Sequence, residues 1–361
     1  MSLIIIFVMA ALLYVLQSVV YSIWGSKGLQ AQVWFERGAV TEGENGILVE
    51  QVSNAKWLPM PVVHLLMQTD RELVFNGESR DNTTVSDQNY RIDVYSIMPW
   101  QKITRRLRFC AAKRGYYPVR ELSLEYRNLF FQPFSSFQQP ADTWLYVYPR
   151  PVFTQEIDMV VQKLMGEVLI RRRLLEDPYA FYGIREYQTY DTMRQINWKA
   201  TAKTGELRVN TCQSTVSCKV SILLDVRLPH TARAMERVEQ GIRMAAAFGI
   251  SCEEAQIPFS LFTNGTSKGN SRQTDSYQQD FWQEEDLEAS TGAGHLQSFM
   301  EILSRIDVSA ASEWEPKLMG QDSSEDSFLV YISPDDGEPF AECKGFWDCF
   351  WIALKEEELD R

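Results

Sequence analysis

The feature that most constrains this chain is an uncharged, apolar run from Leu3 to Trp24. As an α-helix this run would be about 33 Å long, which is enough to cross the hydrocarbon core of a bilayer. The sequence therefore predicts a transmembrane anchor over residues 1–26, with the lipid bilayer as the partner of residues 3–24. A cleaved signal peptide is the competing interpretation, but the run has no basic segment before it and no small-residue cleavage pattern before Lys27.

Two further features predict the orientation of the anchor. Lys27 and Arg37 follow the run and no Lys or Arg precedes it, a bias that favours the cytoplasm for the residues after the helix. The six cysteines are scattered without a CxxC pair, which is typical of reduced thiols. We therefore expect a single-pass protein of the cell membrane whose soluble domains are cytoplasmic.

The second half of the chain is strongly acidic. Residues 211–361 carry 12 Lys and Arg against 27 Asp and Glu, so their net charge is −15. Such a surface repels a phosphate backbone, so nucleic acid is not expected as a partner. The chain also lacks a GxxxxGK[ST] loop and any Ser/His/Asp or Cys/His signature, and we expect no cofactor.

Residues 27–150 contain short segments in which polar and apolar side chains alternate. The candidate strands are residues 32–36, 46–52, 61–67, 105–111, 121–126 and 144–148, and several of them show this alternation. A period of two is the pattern of a half-buried β-strand, and no long helical period interrupts these segments. The sequence therefore predicts a β-sandwich domain over residues 27–150.

The pattern changes twice after residue 150. Residues 151–215 begin with apolar side chains at helical spacing and form a helical connector that also carries the motif described next. From 216 to 361, apolar strand-like segments alternate with helical ones, which predicts an α/β domain with a doubly wound, mostly parallel sheet. The polar segments 264–293 and 309–327 are expected to be loops. Asn82 and Asn264 each begin a glycosylation sequon, which would not be modified in a cytoplasmic domain. The chain as a whole is predicted to be an α+β multidomain protein.

A dense alternation of charged and aromatic side chains marks the connector. Its members are Arg185, Tyr187, Asp191, Arg194, Asn197, Trp198 and Lys199, and an apolar strand ending in Asp225 follows. In this order the residues resemble the signature of the family called domain of unknown function 58. The resemblance implies a von Willebrand factor A-like domain from about residue 216. Asn197 stands where many relatives have an acidic residue, and Tyr190 stands where they have a glycine.

Two interpretations of this motif remain open. The side chains could form an internal hydrogen-bond and cation-π network that fastens the two domains and buries Trp198. They could instead form an exposed interaction surface, because Trp, Tyr and Arg dominate the hot spots of protein interfaces.

The resemblance also implies a metal position after the first strand of the α/β domain. Metal-binding relatives of that fold place Asp-x-Ser-x-Ser there, whereas this chain has Asp225, Arg227 and Pro229. Because a guanidinium disfavours a divalent cation and proline offers no side-chain ligand, we expect a degenerate remnant of Asp225 and Asp335 that binds no metal. Alternatively, Arg227 pairs with Asp225 or Asp335 and joins the strand ends.

Relatives with this architecture are commonly linked with MoxR-type AAA+ ATPases and with transglutaminase-like membrane proteins. The resemblance therefore implies a non-enzymatic, membrane-anchored adaptor or scaffold that presents a protein-interaction surface. Two other classes stay open: a metal-dependent adhesion module, and an envelope-related hydrolase that uses Asp191 and Asp225 as its acids.

Overall fold

The structure is a computed structural model of the whole chain, and it divides into two compact units, Met1–Arg150 and Pro151–Arg361. The residues that it describes are 2–75, 83–85, 90–130, 133–174, 176–189, 191–193, 196–214, 219–226, 232–268, 282–284, 286–311, 327–333 and 349–353.

The first unit begins with a helix and continues entirely in strands. Helix α1 covers Ser2–Trp24. The strands are β1 (Leu29–Phe35), β2 (Ala39–Thr41), β3 (Asn45–Asn54), β4 (Met60–Gln68), β5 (Leu73–Phe75), β6 (Thr83–Val85), β7 (Tyr90–Ile97), β8 (Lys102–Ala111), β9 (Gly115–Arg127) and β10 (Pro133–Tyr148). Helix α1 is long and apolar enough to cross a membrane, and only 6% of its apolar window from Ile4 to Trp24 is buried.

These strands form two sheets around one core, which confirms the prediction of a β-sandwich. One sheet has the order β1-β3-β8-β5 and the other the order β2-β10-β9-β4-β7-β6. All pairs are antiparallel except β2 with β10. Alternate residues of β1 are buried along its whole length, so its period of two places Leu29 and Val33 in the core with Leu65 and Leu124 of the facing sheet.

The second unit mixes helices and strands. Its elements are α2 (Gln155–Leu174), β11 (Glu176–Glu186), α3 (Trp198–Thr204), β12 (Arg208–Ser214), β13 (Lys219–Leu224), α4 (Ala232–Glu254), β14 (Phe259–Thr263), β15 (Gly265–Lys268), β16 (Trp282–Glu284), β17 (Leu287–Ser290), α5 (Ala293–Arg305), β18 (Ile306–Ala311), β19 (Ser327–Ser333) and β20 (Cys349–Ala353). Helix α2 confirms the predicted helix of the connector. Strands β11 and β12 pair antiparallel and frame the motif, a hairpin that the sequence did not predict.

The main sheet of this unit has the order β17-β14-β13-β19-β20. Its four neighbouring strands β14, β13, β19 and β20 are parallel, as predicted, and β17 joins one edge antiparallel. The interior strands β13, β14 and β19 are mostly buried, as is typical of parallel strands. Helices α4 and α5 contact each other, and α4 lies against β13 and β19.

The prediction that residues 264–293 and 309–327 are loops was wrong in part. Strands β15, β16 and β18 form a small antiparallel sheet in the order β16-β15-β18, and β17 belongs to the main sheet. Strands β15 and β16 are short and polar, so they lack the apolar alternation by which a strand is recognised. Their backbone groups pair with partners that are distant in the sequence, which a local pattern does not show.

Candidate functional site

The motif lies on the β11–β12 hairpin and the segment that connects its strands. Arg185 pairs with Val209 across the hairpin, and Ile196 forms an isolated bridge to the same residue. Both Val209 and Ile196 are buried. The backbone N–H of Tyr187 donates to the carbonyl of Leu207 over 3.0 Å, and the Tyr187 side chain is half-buried. The hairpin therefore brings the first and last parts of the motif together.

Arg185 and Asp191 form a bidentate ion pair. Arg185 Nη1 donates to Asp191 Oδ2 over 2.6 Å, and Arg185 Nη2 donates to Oδ1 over 2.6 Å. The backbone N–H of Gln188 also donates to Oδ2, over 2.9 Å. The hydrogen bonds from Arg185 hold the pKa of Asp191 below its usual range, so this carboxylate is ionised and engaged at both oxygens. A general acid needs the opposite shift in pKa.

Asn197 begins helix α3 and also joins it to the hairpin. Its Oδ1 accepts from the Ala200 N–H over 2.9 Å, which caps the helix, and its Nδ2 donates to Asn210 Oδ1 over 2.7 Å. An aspartate could provide the cap but could not donate to Asn210. This second bond gives a physical reason for an asparagine rather than an aspartate at this position.

The other end of α3 is fixed as well. Gly205 closes the helix with a φ of 77°, in the left-handed region that favours glycine, and its N–H donates to Thr201 O. Thr201 Oγ1 accepts from the Arg208 N–H over 3.0 Å, which ties this end of the helix to β12. Helix α3 is therefore short but held at both ends by specific hydrogen bonds.

Trp198 and Lys199 begin this helix, and both side chains are exposed. Trp198 is 65% exposed, so the interpretation that buries it inside a polar network was wrong. Trp198 is the first residue of α3, directly after the Asn197 cap. Met193 is also largely exposed nearby in the sequence. Tyr190 and Arg194 lie outside the described residues.

Asp225 follows β13, at the carboxyl end of the parallel sheet. In the sheet β13 lies between β14 and β19, and the chain runs first to β14 on one side of β13 and later to β19 on the other. In open α/β sheets, ligands usually bind at the carboxyl ends of the strands where the chain changes sides in this way. Asn264 Nδ2 donates to Asp225 Oδ1 over 2.8 Å, and the Tyr331 hydroxyl donates to Oδ2 over 3.0 Å. Asn264 Oδ1 accepts in turn from the Val226 N–H. Asp225 is buried, and protein donors engage both of its oxygens.

This arrangement differs from a metal centre. Among the residues that the structure describes, no three His, Cys, Asp or Glu side chains are grouped to hold a metal ion. Arg227, Pro229 and Asp335 lie outside the described residues, so the predicted pairing of Arg227 is not described. The sequence missed the role of Asn264, which we interpreted only as part of a sequon. Its position directly after β14, beside the end of β13, is the signal that could have identified it.

The sequence also missed a buried ionic cluster inside the β-sandwich. Its members are Glu50 on β3, Arg91, Asp93 and Tyr95 on β7, and Arg105 on β8. Arg91 Nε donates to Asp93 Oδ2 over 2.6 Å and Arg105 Nη1 donates to Asp93 Oδ1 over 3.2 Å, while the Tyr95 hydroxyl donates to Glu50 Oε2. Because β3 and β8 belong to one sheet and β7 to the other, the cluster joins the two sheets.

Glu50 is the unusual member of this cluster. Burial first, and then the charge of Asp93, raises the pKa of Glu50 to about 8. Its Oε1 accepts no hydrogen bond from the described residues, which agrees with a carboxyl that keeps its proton. The guanidinium groups of Arg91 and Arg105 lie 4.4 Å from the Phe75 ring and 4.8 Å from the Tyr95 ring. The sequence did not show that Arg91 and Asp93 of β7 face inward, because charged side chains normally lie on the outer face of a strand.

No model of a known protein family matches the chain, and no curated protein matches its sequence. Solved structures that align with it include the sixth cohesin of scaffoldin B from Acetivibrio cellulolyticus, at 8% identity and a TM-score of 0.25, over 34% of this chain and 99% of the cohesin. A non-cellulosomal cohesin from Archaeoglobus fulgidus aligns at 10% identity and a TM-score of 0.23, over 36% and 97% of the two chains. The full-length major pilin SpaD from Corynebacterium diphtheriae aligns at 8% identity and a TM-score of 0.25, over 32% and 34%. Likeness at this level carries no argument about fold or function, and the architecture rests on the strand pairing described above.

Proposed function

We propose that this chain is a non-enzymatic, membrane-anchored adaptor of the domain of unknown function 58 family, and that the motif around Trp198 is its protein-binding surface. The second unit is then a von Willebrand factor A-like domain with a degenerate metal position. Residues 3–24 hold the protein in the cell membrane as a single span, and the positive charge after the span places both units in the cytoplasm.

The observation that carries this proposal is the exposed Trp198 on a helix that is fixed at both ends. Trp198 is 65% exposed, so most of its indole is available for contact with a partner. Tryptophan is also the residue most enriched in interface hot spots, where it contributes a large contact area at a low cost in conformational entropy. The Asn197 cap and the Gly205 turn hold its backbone in place before a partner arrives, which lowers the cost of binding.

The hydrogen bonds of Asp191 and Asp225, the acidic residues of the competing hypotheses, favour the adaptor. A hydrolase that uses Asp191 needs a carboxyl whose pKa is matched to proton transfer, whereas Arg185 lowers the pKa of Asp191. A metal-dependent adhesion module needs the oxygens of Asp225 for the cation, whereas Asn264 and Tyr331 donate to them. Both arrangements support a structural role for these carboxylates.

The partner class follows from the family resemblance. A MoxR-type AAA+ ATPase is the first candidate, because it is cytoplasmic and would meet the exposed Trp198 surface on that side of the membrane. A transglutaminase-like membrane protein is the second candidate, which would lie in the same bilayer.

A binding measurement on the full chain tests this proposal. The chain is reconstituted in lipid nanodiscs, and the MoxR-type ATPase of the same organism is titrated against it with and without ATP. We expect saturable binding that Trp198→Ala weakens at least tenfold, as truncation of a hot-spot residue does. Met159→Ala is the matched control, because Met159 is 62% exposed on α2, outside the motif. Equal binding by the wild type and Trp198→Ala would contradict the proposed surface.

A further inference from the structure

One end of the β-sandwich carries an unusual set of exposed apolar side chains. The strand register places the start of β1 beside the end of β3, the start of β4 beside the end of β7, and the start of β10 beside the end of β9. The loops 55–59 and 98–101 and the residues 128–130 that follow β9 therefore meet at this end. Their large apolar residues, together with the last residue of α1, are between 45% and 73% exposed: Trp24, Trp57, Met98, Trp100, Leu129 and Phe130.

Backbone and side-chain bonds hold these loops together. Asn54 is buried, and its Nδ2 donates to the carbonyls of Leu58 over 2.9 Å and Met98 over 3.1 Å. The Trp100 N–H donates to Lys56 O, and the Phe130 N–H donates to Asn128 Oδ1 over 3.0 Å. These bonds satisfy the carbonyls of Lys56, Leu58 and Met98 and the N–H groups of Trp100 and Phe130, which backbone groups require before they can leave water.

Trp100 provides a separate indication that this end has a function. Its φ is 58°, in the left-handed region that a bulky side chain rarely adopts. The strained backbone holds a large aromatic ring in water, where it gains nothing from burial in the described fold. Such combinations are typical of functional surfaces.

The same end is joined to helix α1. Tyr21 is fully buried and its hydroxyl donates to Pro59 O over 2.7 Å, while Lys56 donates from Nζ to the Gly25 carbonyl. The rings of Trp24 and Trp57 lie 6.5 Å apart, and those of Tyr14 and Phe130 lie 5.6 Å apart. Ten residues of helix separate Tyr14 from Trp24, so the loop that carries Phe130 reaches about 15 Å along the helix.

The exposed part of α1 is shorter than the hydrocarbon core of a bilayer is thick. Apart from its contact with Phe130, α1 is exposed from Ile4 to Leu16, a stretch of about 20 Å, and is partly covered by the sandwich from Gln17 onward. A hydrocarbon core is about 30 Å thick, so this stretch alone cannot cross it. If α1 spans the bilayer, the end of the sandwich must enter the membrane surface by about 10 Å, which is close to the depth of about 5–10 Å to which interfacial amphipathic helices bury their apolar face.

We propose that this end of the sandwich is a second membrane contact, in which Trp57, Met98, Trp100, Leu129 and Phe130 are immersed in the lipid beside α1. The bilayer is its occupant because the surface is continuous with the apolar helix. Lys27 lies 5.7 Å from the Trp24 ring and marks the headgroup level. The first unit is thereby held against the bilayer rather than tethered at a distance. This inference rests on the anchor within the proposed function.

Quenching of tryptophan fluorescence by brominated lipid tests the inference. The full chain is reconstituted in phosphatidylcholine vesicles with and without dibromo-acyl chains, and the quenched intensity is measured. Ten tryptophans are present, of which Trp24, Trp57 and Trp100 are expected to meet lipid. The double substitution Trp57→Phe and Trp100→Phe keeps the aromatic surface and should remove about two thirds of the quenched intensity if the three rings lie in the belt.

Trp198→Phe is the matched control, because Trp198 is similarly exposed but lies in the motif, and it should leave the quenched intensity unchanged. Trp24→Phe reports on the anchor separately. Quenching that disappears with Trp24→Phe and is unaffected by the double substitution would overturn the second contact while leaving the anchor in place. Absence of quenching in the wild type would overturn the anchor and this inference with it.

Discussion

Glu50 should make the stability of the sandwich depend on pH across the neutral range. Burial and the charge of Asp93 raise its pKa from the ordinary 4.5 to about 8. Between pH 4.5 and about pH 8, Glu50 keeps its proton in the folded chain and releases it in the unfolded chain. The stabilisation is therefore fully present below pH 4.5 and is lost as the pH rises through 8.

The magnitude follows from the size of that window. One pH unit corresponds to about 1.4 kcal/mol, so a window of about 3.5 pH units corresponds to an upper value of about 5 kcal/mol. The interval from pH 5 to pH 8 covers three of these units, so its ceiling is about 4 kcal/mol, and we expect a measured loss of about 2–4 kcal/mol between the two pH values. Glu50→Gln keeps an acceptor for the Tyr95 hydroxyl and removes the titrating proton, so it should flatten the pH dependence.

Methionine oxidation in a urea series measures this in the full chain. Met60 and Met67 are buried on β4, so hydrogen peroxide reaches them only when the sandwich opens. Met244 is buried on α4 and reports on the second unit as an internal control. The urea midpoint for Met60 and Met67 should fall from pH 5 to pH 8 in the wild type but not in Glu50→Gln. The reasoning would be refuted if the wild type had the same urea midpoint at pH 5 and pH 8, or if the midpoint of Glu50→Gln fell with pH as much as that of the wild type.

Three further predictions concern the second unit. Trp198→Ala should change the free energy of unfolding by no more than about 0.5 kcal/mol, because the side chain is exposed; a loss of several kcal/mol in urea unfolding would show that it packs inside. Arg185→Met should cost about 1–3 kcal/mol, because it leaves the Asp191 carboxylate without its charged donor, and a double-mutant cycle with Asp191→Asn should show coupling between the two. Calorimetric titration with Mg²⁺ should give no saturable isotherm, because protein donors engage both oxygens of Asp225; a stoichiometric isotherm that vanishes in Asp225→Ala would contradict this.

The sequence predicted the elements whose signal is local. Alternate burial along β1 and the apolar runs of β13 and β19 follow from periods that a short segment displays. It could not predict β15, β16 and β18, because their pairing depends on partners far away in the chain. Local patterns thus predicted the strands of the core, whereas the small sheet of β15, β16 and β18 depends on pairing between distant parts of the chain.

The candidate site shows the same division. The motif drew attention to Arg185, Asp191 and Asn197, but residue types alone allowed either a network or a surface. The structure separates the two roles, because the charged and amide groups bond within the motif while Trp198 faces outward. The Glu50 cluster was missed for a different reason. A charged residue on a strand is ordinarily solvated, and only the register of two sheets shows that it faces inward.

Photo-crosslinking from position 198 tests the central claim that the motif presents a protein-binding surface. The full chain is expressed in its native cells with p-benzoylphenylalanine in place of Trp198, or in place of the equally exposed Met159 as control. We predict one discrete adduct from position 198, containing a cytoplasmic protein such as the MoxR-type ATPase, and no such adduct from position 159. The same adducts from both positions, or none from position 198, would contradict the account.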